Sequence, residues 1–596
     1  MIVYNSRDIN FKKPYGAVKT GVSVNFNITV SANGDTGGPV ETNLIICKEN
    51  CTPETIKGRE KGDNYSFNWR GGTPGLYFYY FSAAFSGGAQ ERTGSFQLTV
   101  FEHDGLKQPD WLSSGLMYQV FPDRFARCGA YTIPDLNKSH TIHERWGELP
   151  VCAPDENGVT WNNDFFGGNL RGVIEKLDYL EGIGVTVIYL NPIFEAFSNH
   201  RYDTGDYHKI DPILGSEEDF SLLCEMALQK GIRIVLDGVF NHTGSDSLYF
   251  NKYGHYKSIG ACQSKDSPYY KWYSFTDYPD EYESWWGIKT LPQVNEKEKS
   301  YIDFIIRDEN SVARHWLRAG ASGLRLDVVD ELPDEFLDEL RVVVKEEKQD
   351  ALLIGEVWED ASNKIAYDER RRYFQGKQLD SVMNYPLKDA IIRYIGYDHI
   401  AKEFSETVES LRENYPSHVF NSLMNILGTH DTKRILTVFR ESSGDYWEAR
   451  QKLFSALLIW ALMPGIPCVY YGDELGMEGG KDPLNRQCFN PETKNEEIAL
   501  YYKRLLNFRK KIKDIDQKEF VPLSAHGGYY SFERRGDTES VVVAVNDQNL
   551  SEKLTFGGEA VDFIISGAAD YLGDNTFEIH ERSGIAVLIR CVDSHA

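Results

Sequence analysis

The sequence predicts an α/β protein built on a (β/α)8 (TIM) barrel, with a β-sandwich ahead of the barrel and an antiparallel β domain behind it. A chain of 596 residues exceeds the size at which one core stops growing, so several domains are expected. Apolar strand patterns alternate with helical patterns from about residue 107 to 475. Eight such strands favour a closed parallel barrel.

The two flanking domains are predicted from short strands with polar turns. Residues 22–30 alternate apolar and polar side chains, and similar runs separated by Gly and Pro turns continue to residue 100. A strand at 539–545 marks the closing domain. We therefore predict a sandwich over 1–106, a barrel over 107–512 and a closing β-sandwich over 513–596.

The barrel elements follow one another in regular order. Residues 116–121 are predicted as the first strand and 185–190 as the second, with a helix over 170–181 between them. The sequence 216–219, Ser-Glu-Glu-Asp, predicts a capping box that opens the next helix. A sixth strand is predicted over 381–385.

One interval interrupts this order, because the stretch from Asp237 to Gly323 is far longer than an ordinary connection. It is rich in Tyr and Trp, including Trp285 and Trp286. We predict a small subdomain inserted after the third strand, over about 241–295.

Five apolar strand runs end in a carboxylate, an amide or an imidazole. In 323–331, Arg325 and Asp327 are two residues apart, so a strand would point both to one face. Alone, this pair would be read as a structural ion pair. The other runs end near Asp237, Glu356, His430 and Glu474. Because parallel strand ends meet at one face of a barrel, the five together predict a catalytic site there.

Composition limits the ligand and the location. A formal net charge of −25 opposes binding to nucleic acid or anionic lipid and is compatible with a neutral substrate. No run of about 18 apolar residues is present, so no membrane contact is expected. The start has no signal segment, which predicts a cytoplasmic protein, although a secreted chain with its leader removed would look the same. The nine cysteines are read as free thiols, since Cys47 and Cys51 lack a second pair for a zinc site.

Several ordered motifs give the chain a resemblance to a known family. They are 237–242 (DGVFNH), 323–327 (GLRLD), 355–358 (GEVW), 428–431 (GTHD), 118–125 (YQVFPDRF), 291–295 (LPQVN) and 465–472 (GIPCVYYG). In this order they resemble the α-amylase family, glycoside hydrolase family 13. With a sandwich ahead of the barrel, the chain is most similar to neopullulanases, cyclomaltodextrinases, maltogenic amylases and amylopullulanases. The sandwich would then be like a carbohydrate-binding module.

The resemblance implies retaining cleavage of α-1,4-glucosidic bonds in maltooligosaccharides, starch-derived glucans, pullulan or cyclodextrins. Such chemistry needs two carboxyl groups about 5 Å apart, one a nucleophile and one an acid/base. Asp327 matches the nucleophile, and Arg325 on the same face is expected to keep it ionised. Glu356 matches the acid/base and is expected to begin the cycle protonated. Asp431 matches the third carboxylate.

The resemblance also implies a set of substrate-binding residues. Tyr202 matches an aromatic platform with His200 beside it, and Asp237 orients its neighbours. Asp330 and Glu331 line the leaving-group side or are solvated charges at the start of a helix. His242 and His430 match hydrogen-bond donors to the reacting glucose, and Trp358 matches a residue on the leaving-group side. Asp482 and Arg486 match a pair that binds the preceding glucose on the non-reducing side.

The chain departs from the family at its usual calcium site. Residues 123–131 offer no oxygen-rich cluster, and Asn169 stands where relatives have Asp. Because calcium prefers six to eight oxygen ligands, we expect no calcium at this site and no cofactor, while a calcium site elsewhere stays open.

The expected partner is an α-glucan, and a homodimer through the N-terminal domain is possible for this family. The alternatives to hydrolysis are a transglycosylase, an α-1,6-cleaving pullulanase-type enzyme and a noncatalytic sugar-binding relative. The last alternative is disfavoured because all three carboxylates are present.

Overall fold

The computed structural model describes residues 1–31, 38–86, 88–102, 108–112, 114–129, 140–152 and 162–591. Two compact units divide the chain. The first comprises residues 1–108, 359–380 and 406–421, and the second comprises 109–358, 381–405 and 422–596. The predicted domain limits at 106 and 512 stay a prediction.

The first unit contains two β-sheets that share one aromatic core. Phe26, Phe67, Tyr79 and Phe81 lie in this core, where the period-2 alternation directs them. One sheet holds strands Ile2–Val3, Lys12–Lys13, Ser23–Val30, Arg59–Lys61 and Asn64–Arg70, and the other Val18–Lys19, Pro39–Lys48, Glu54–Lys57, Gly75–Phe85, Gln90–Arg92 and Phe96–Phe101. The predicted N-terminal sheet domain is confirmed.

The second unit contains the predicted barrel of eight parallel strands. In chain order they are β1 Met117–Val120, β2 Val187–Leu190, β3 Arg233–Gly238, β4 Gly323–Leu326, β5 Leu352–Gly355, β6 Ser381–Val382, β7 Met424–Asn425 and β8 Ile466–Tyr470. Each strand pairs with the next in the chain from β1 to β6, and β8 pairs with both β1 and β7. A parallel bridge between Met383 and Met424 closes the ring between β6 and β7.

Helices connect the barrel strands. Ser216 and Asp219 form the predicted capping box at the start of helix Glu217–Gln229. The helices of the unit are Pro122–Phe125, Leu170–Glu175, Leu177–Gly182, Glu217–Gln229, Lys299–Ile302, Val312–Arg318, Asp334–Glu347, Tyr385–Arg393, Ala401–Asn414 (its last part in the first unit), Ile435–Ser443, Tyr446–Leu462 and Glu496–Lys511, with the short Ser417–Phe420 in the first unit. Among the described ranges, no helix has the length and apolar character needed to cross a bilayer.

Two predicted elements differ from the structure. The helix predicted over 170–181 is two helices, because the backbone at Lys176 (φ −96°, ψ 0°) leaves the α conformation. The sixth strand ends at Val382 rather than 385. Asn384 instead caps the next helix, accepting a hydrogen bond from the Leu387 amide at 3.2 Å.

The segment between β3 and helix Val312–Arg318 and the chain after residue 512 complete the second unit. The inserted segment carries strands Phe275–Asp277 and Glu281–Tyr282 and the 3₁₀ turns Tyr270–Trp272 and Trp285–Gly287. The closing domain is antiparallel, as predicted. One sheet holds Glu519–His526, Tyr529–Arg535, Glu539–Asn546, Glu559–Ser566 and Ser583–Arg590, and the other Glu552–Thr555, Ala569–Gly573 and Thr576–Ile579.

Candidate active site

Three adjacent barrel strands bring charged side chains together at their carboxyl ends. Asp237 on β3 lies opposite Arg325 on β4 in the strand register, and Arg325 lies opposite Ile354 on β5. Asp327 and Glu356 each follow directly after the last residue of their strand. Because all four residues sit at the same edge of the barrel, their side chains come together there.

Arg325 is the centre of this group and is fully buried. Its Nη1 donates to Asp237 Oδ1 and to Asp327 Oδ1, each at 2.8 Å, and its Nη2 lies 2.9 Å from Glu356 Oε2. One guanidinium therefore bridges Asp327 and Glu356, which holds two carboxyl groups close together on one wall. Retaining glycosidases require such a close pair.

Glu356 is also held by two N–H donors. The Trp358 indole Nε1 donates to Oε1 at 3.0 Å, and the Val328 amide donates to Oε2 at 2.9 Å. Val328 has a φ of +35°, which is strained for a β-branched residue, and this conformation turns its amide toward Glu356. Trp358 stacks on Tyr385 with ring centroids 4.1 Å apart, which fixes the indole while 43% of the residue stays exposed.

The charge balance of the group is unequal, because three carboxyl groups share one guanidinium. Burial raises the pKa of Asp327 well above its usual range, Glu356 and Asp237 raise it further, and Arg325 opposes them. Burial also raises the pKa of Asp237, against the effect of Arg325. Arg325 favours the ionised form of Asp327 against burial, and the expectation that this carboxyl is ionised stays a prediction. Burial and the neighbouring carboxyl groups thus favour the protonated form of Asp327 and Asp237, and Arg325 favours their ionised form.

The third carboxylate, Asp431, follows β7 and faces β8. Its Oδ2 lies 3.1 Å from His430 Nε2, and its Oδ1 accepts a hydrogen bond from Arg486 Nη2 at 3.4 Å. Arg486 Nη1 lies 2.8 Å from Asp482 Oδ1, and Arg486 Nε donates to the His430 carbonyl at 3.0 Å. Arg486 thus connects Asp431 and Asp482 on the side of the barrel mouth opposite β3 and β4.

Tyr202 and His430 form a chain of hydrogen bonds that leads to Asp237. Gln119 Nε2 donates to His430 Nδ1 at 2.8 Å, so the ring proton is on Nε2, which contacts the Tyr202 hydroxyl at 2.7 Å. The hydroxyl donates to Asp237 Oδ2 at 2.9 Å. Burial lowers the pKa of His430 well below its usual range, which keeps the ring neutral. The two rings are nearly parallel, at 6°.

His242 and His200 both contact the backbone of Tyr202. His242 Nε2 donates to the Tyr202 carbonyl at 3.1 Å, and burial lowers the pKa of His242 to about 4. In this neutral form Nδ1 carries no proton and could only accept a hydrogen bond, whereas the sequence analysis expects a donor at this residue. His200 Nδ1 accepts from the Tyr202 amide at 3.1 Å, which supports the Tyr202 loop. Burial and Arg486 lower the pKa of His200.

Three residues that position the site were not predicted from the sequence. Tyr189 donates to Asp237 Oδ2 at 2.5 Å, Asn191 donates to the Tyr202 hydroxyl at 2.9 Å, and Gln119 orients His430. Tyr189 and Gln119 face each other on β2 and β1. For Tyr189 and Gln119 the sequence does carry a signal, because each is a polar side chain inside an apolar strand run, as Arg325 is on β4.

The residues after β1 stand where the resembling family usually binds calcium. Asp123 accepts hydrogen bonds from the Phe166 and Gly167 amides at 3.1 Å each and from Arg124 Nε at 2.7 Å. Asn169 Oδ1 caps the next helix through the Gly172 amide at 2.7 Å. Among the described residues of this segment, these oxygens are occupied by N–H donors and do not offer the oxygen cage that calcium prefers.

Comparisons with known proteins agree with this geometry. The model of the α-amylase catalytic domain matches residues 119–519. The amylopullulanase of Thermoanaerobacter thermohydrosulfuricus is 35% identical over 97% of this chain and 44% of its own length. The cyclomaltodextrinase of Geobacillus thermopakistaniensis is 34% identical over 76% of this chain and 72% of its own length.

A solved structure and the lengths of the relatives complete the comparison. The type III pullulan hydrolase from Thermococcus kodakarensis has a TM-score of 0.70 and 26% identity, covering 98% of this chain and 100% of that one. The chain spans 44% and 52% of the length of two amylopullulanases that it matches.

Proposed function

This chain belongs to the α-amylase family of glycoside hydrolases, and we propose that it is a retaining glycosidase that cleaves α-1,4-glucosidic bonds. The substrates are maltooligosaccharides, starch-derived glucans, pullulan or cyclodextrins. The observation that carries this proposal is the bridge that Arg325 makes between Asp327 and Glu356, with contacts of 2.8 and 2.9 Å. Two carboxyl groups held on one guanidinium match the requirement for a nucleophile and an acid/base within reach of one anomeric carbon.

In the first step, the Asp327 carboxylate attacks the anomeric carbon while Glu356 gives its proton to the leaving glycosidic oxygen. The C–O bond breaks, and a covalent glycosyl-enzyme forms on Asp327. In the second step, Glu356 takes a proton from water, and the hydroxyl oxygen displaces Asp327 from the anomeric carbon. The product keeps the α configuration because each of the two displacements inverts the anomeric carbon.

The remaining polar groups hold the sugar ring between these steps. Asp431 and His430 Nε2 lie 3.1 Å apart and would engage hydroxyls of the reacting glucose. Asp482 and Arg486, 2.8 Å apart, would grip the preceding glucose. Tyr202 would form the apolar platform, and Trp358 would face the leaving group. Such contacts lower the barrier when they strengthen as the ring flattens in the transition state.

The test is a pair of isosteric substitutions. Asp327→Asn and Glu356→Gln should each lower kcat on maltooligosaccharides by several orders of magnitude, because each removes a reacting carboxyl while the contacts to Arg325 keep an oxygen. Maltoheptaose should still bind both variants in calorimetry. Near-normal turnover in either variant would refute the assignment.

An α-1,6-cleaving activity is the second candidate, favoured by the names of relatives, amylopullulanase and pullulan hydrolase. The products from pullulan separate the two, because α-1,4 cleavage gives panose or isopanose and α-1,6 cleavage gives maltotriose. A transglycosylase would instead yield products longer than the substrate at high maltotriose.

The oligomeric state and the cellular location are inferred only from membership of the family. We propose a homodimer through the N-terminal unit and a cytoplasmic location. Analytical ultracentrifugation of the full chain and a truncation lacking residues 1–106 tests the first, with a monomer in both refuting it. Fractionation of the source cells tests the second.

A further inference from the structure

Asn485 is a buried side chain in the loop after β8, and the site described above does not include it. It lies in the 3₁₀ turn Leu484–Arg486 and is fully buried. Its Nδ2 contacts three backbone carbonyls of the loop after β7, those of His430 at 2.6 Å, Thr432 at 2.8 Å and Thr429 at 3.4 Å. One side-chain amide therefore holds three carbonyls of a single turn.

These contacts fix which end of the Asn485 amide is the nitrogen. An amide oxygen in the same place would face three carbonyl oxygens and repel them, so only the NH₂ group fits. This group has two protons, which the two shorter contacts, to His430 and Thr432, use. Among the residues that the structure describes, Asn485 Oδ1 has no hydrogen-bond partner. The side chain therefore acts through its nitrogen, as a donor to this turn.

Asn485 is itself held from the side of the barrel. Its carbonyl accepts hydrogen bonds from Arg434 Nε at 3.1 Å and from the Tyr470 hydroxyl at 3.3 Å. Tyr470 is the last residue of β8, and Arg434 is fully buried and pairs with Asp473 at 2.8 Å. The amide is therefore a fixed point, and the turn after β7 is fastened to it.

The peptide that joins His430 to Asp431 receives most of this support. Its carbonyl accepts hydrogen bonds from Asn485 Nδ2 at 2.6 Å and from Arg486 Nε at 3.0 Å, so two consecutive residues of the loop after β8 use both of its lone pairs. The functional side chains leave the backbone on either side of this peptide, and His430 Nε2 lies 3.1 Å from Asp431 Oδ2. Rotation of the peptide would therefore displace both functional groups together.

From these contacts we propose that Asn485 is a positioning residue for the cleavage reaction. It fixes the peptide between His430 and Asp431 against the loop that carries Asp482 and Arg486. The groups for the reacting glucose and those for the preceding glucose then form one rigid wall. Such a wall lowers the barrier because the contacts to the transition state are in place before the ring distorts. This inference rests on the proposed function, because it assigns a role in the same reaction.

The experiment compares Asn485→Ala with Asn546→Ala, a matched control in the closing domain. Asn546 is equally buried, its Nδ2 also contacts three backbone carbonyls, at 2.7, 3.0 and 3.2 Å, and its Oδ1 also has no partner within the described ranges. Both variants should lose stability to a similar extent, because each removes a donor to three buried carbonyls. Only Asn485→Ala should lower kcat on maltotriose, by about ten- to hundredfold at temperatures well below the Tm, because it displaces groups that act in the transition state. Its KM should change less than about threefold.

A double-mutant cycle separates positioning from a general loss of structure. In an Asp431→Asn background, with α-maltotriosyl fluoride as a substrate that has a good leaving group, Asn485→Ala should lower kcat less than about threefold, because the group that it positions is already disabled. Asn485→Ser is the second variant, for use if the alanine variant does not fold. It keeps a hydroxyl donor and leaves room for a bridging water, so it should show a smaller loss that again lies in kcat rather than in KM.

An equal loss of kcat in both backgrounds, an equal loss in Asn546→Ala, or an unchanged kcat in the Asn485 variants would overturn the inference. Failure of the proposed function is distinguishable, because the wild-type protein would then cleave neither maltotriose nor the fluoride.

Discussion

Replacement of Arg325 by Leu tests the electrostatics of the site most sharply. Arg325 contacts Asp327 at 2.8 Å and Glu356 at 2.9 Å, and burial already raises the pKa of Asp327. Removal of the guanidinium removes the effect that opposes this rise. The pKa of Asp327 should increase further, so that the nucleophile is ionised only at higher pH.

The magnitude follows from the contacts that are lost. A hydrogen bond to a charged group contributes roughly 1.5–3 kcal/mol, so two contacts to reacting carboxyl groups are worth about 3–6 kcal/mol. At 1.36 kcal/mol for each factor of ten, kcat/KM should fall about 10²- to 10⁴-fold. The acidic limb of the pH profile should move to higher pH, because Asp327 in this variant stays protonated, and therefore unable to attack, up to a higher pH than in the wild type.

The assay is kcat/KM for maltotriose across pH 4 to 9, with Arg434→Leu as the matched control. Arg434 is equally buried and pairs with Asp473 at 2.8 Å, but it contacts neither Asp327 nor Glu356. Its loss should lower stability without moving the acidic limb. An acidic limb that stays in place or moves to lower pH in Arg325→Leu would refute the reasoning.

Three further predictions concern stability, binding and metal. Burial raises the pKa of Asp473 to about 7 in the folded protein, whereas the pKa in the unfolded chain is near 4. The folded state therefore binds this proton more tightly, and the resulting contribution to the free energy of unfolding is complete below about pH 4 and is lost as the pH rises through about 7. The stability of the wild type relative to Asp473→Asn should therefore fall by up to about 4 kcal/mol between pH 4 and 8 in urea unfolding, whereas parallel curves would contradict this. Arg486→Ala should raise KM about tenfold with a smaller change in kcat, because it removes the contacts that hold Asp431 and Asp482 in place. An unchanged KM would exclude the proposed role of Arg486 and Asp482 in binding the preceding glucose. Dialysis against a chelator should leave activity and Tm unchanged, and calcium found bound beside Asp123 and Asn169 would show the prediction for that site to be wrong.

The fold and the centre of the site could be predicted because both follow from local periodicity. Arg325 and Asp327 are two residues apart on a strand, which alone directs them to one face. Parallel pairing then brings Asp237 and Glu356 beside them. No knowledge of the loops was needed for these placements.

The parts that could not be predicted depend on contacts between distant loops. The tautomer of His430 is set by Gln119 on another strand, and Glu331 accepts hydrogen bonds from two tryptophans of the inserted segment. The strained Val328 amide, which donates to Glu356, has no sequence signature, because a Val normally avoids positive φ. Such features arise from packing that periodicity does not encode.

The most direct measurement is the trapping of the covalent intermediate. A fluorinated glucosyl fluoride forms the glycosyl-enzyme quickly, and its ring fluorine slows hydrolysis of the intermediate by destabilising positive charge on the sugar. Intact-mass analysis followed by peptide mapping should find one added fluoroglucosyl unit on Asp327, and none in Asp327→Asn. A label on another carboxylate, or turnover of the reagent with no label at any time, would contradict the account.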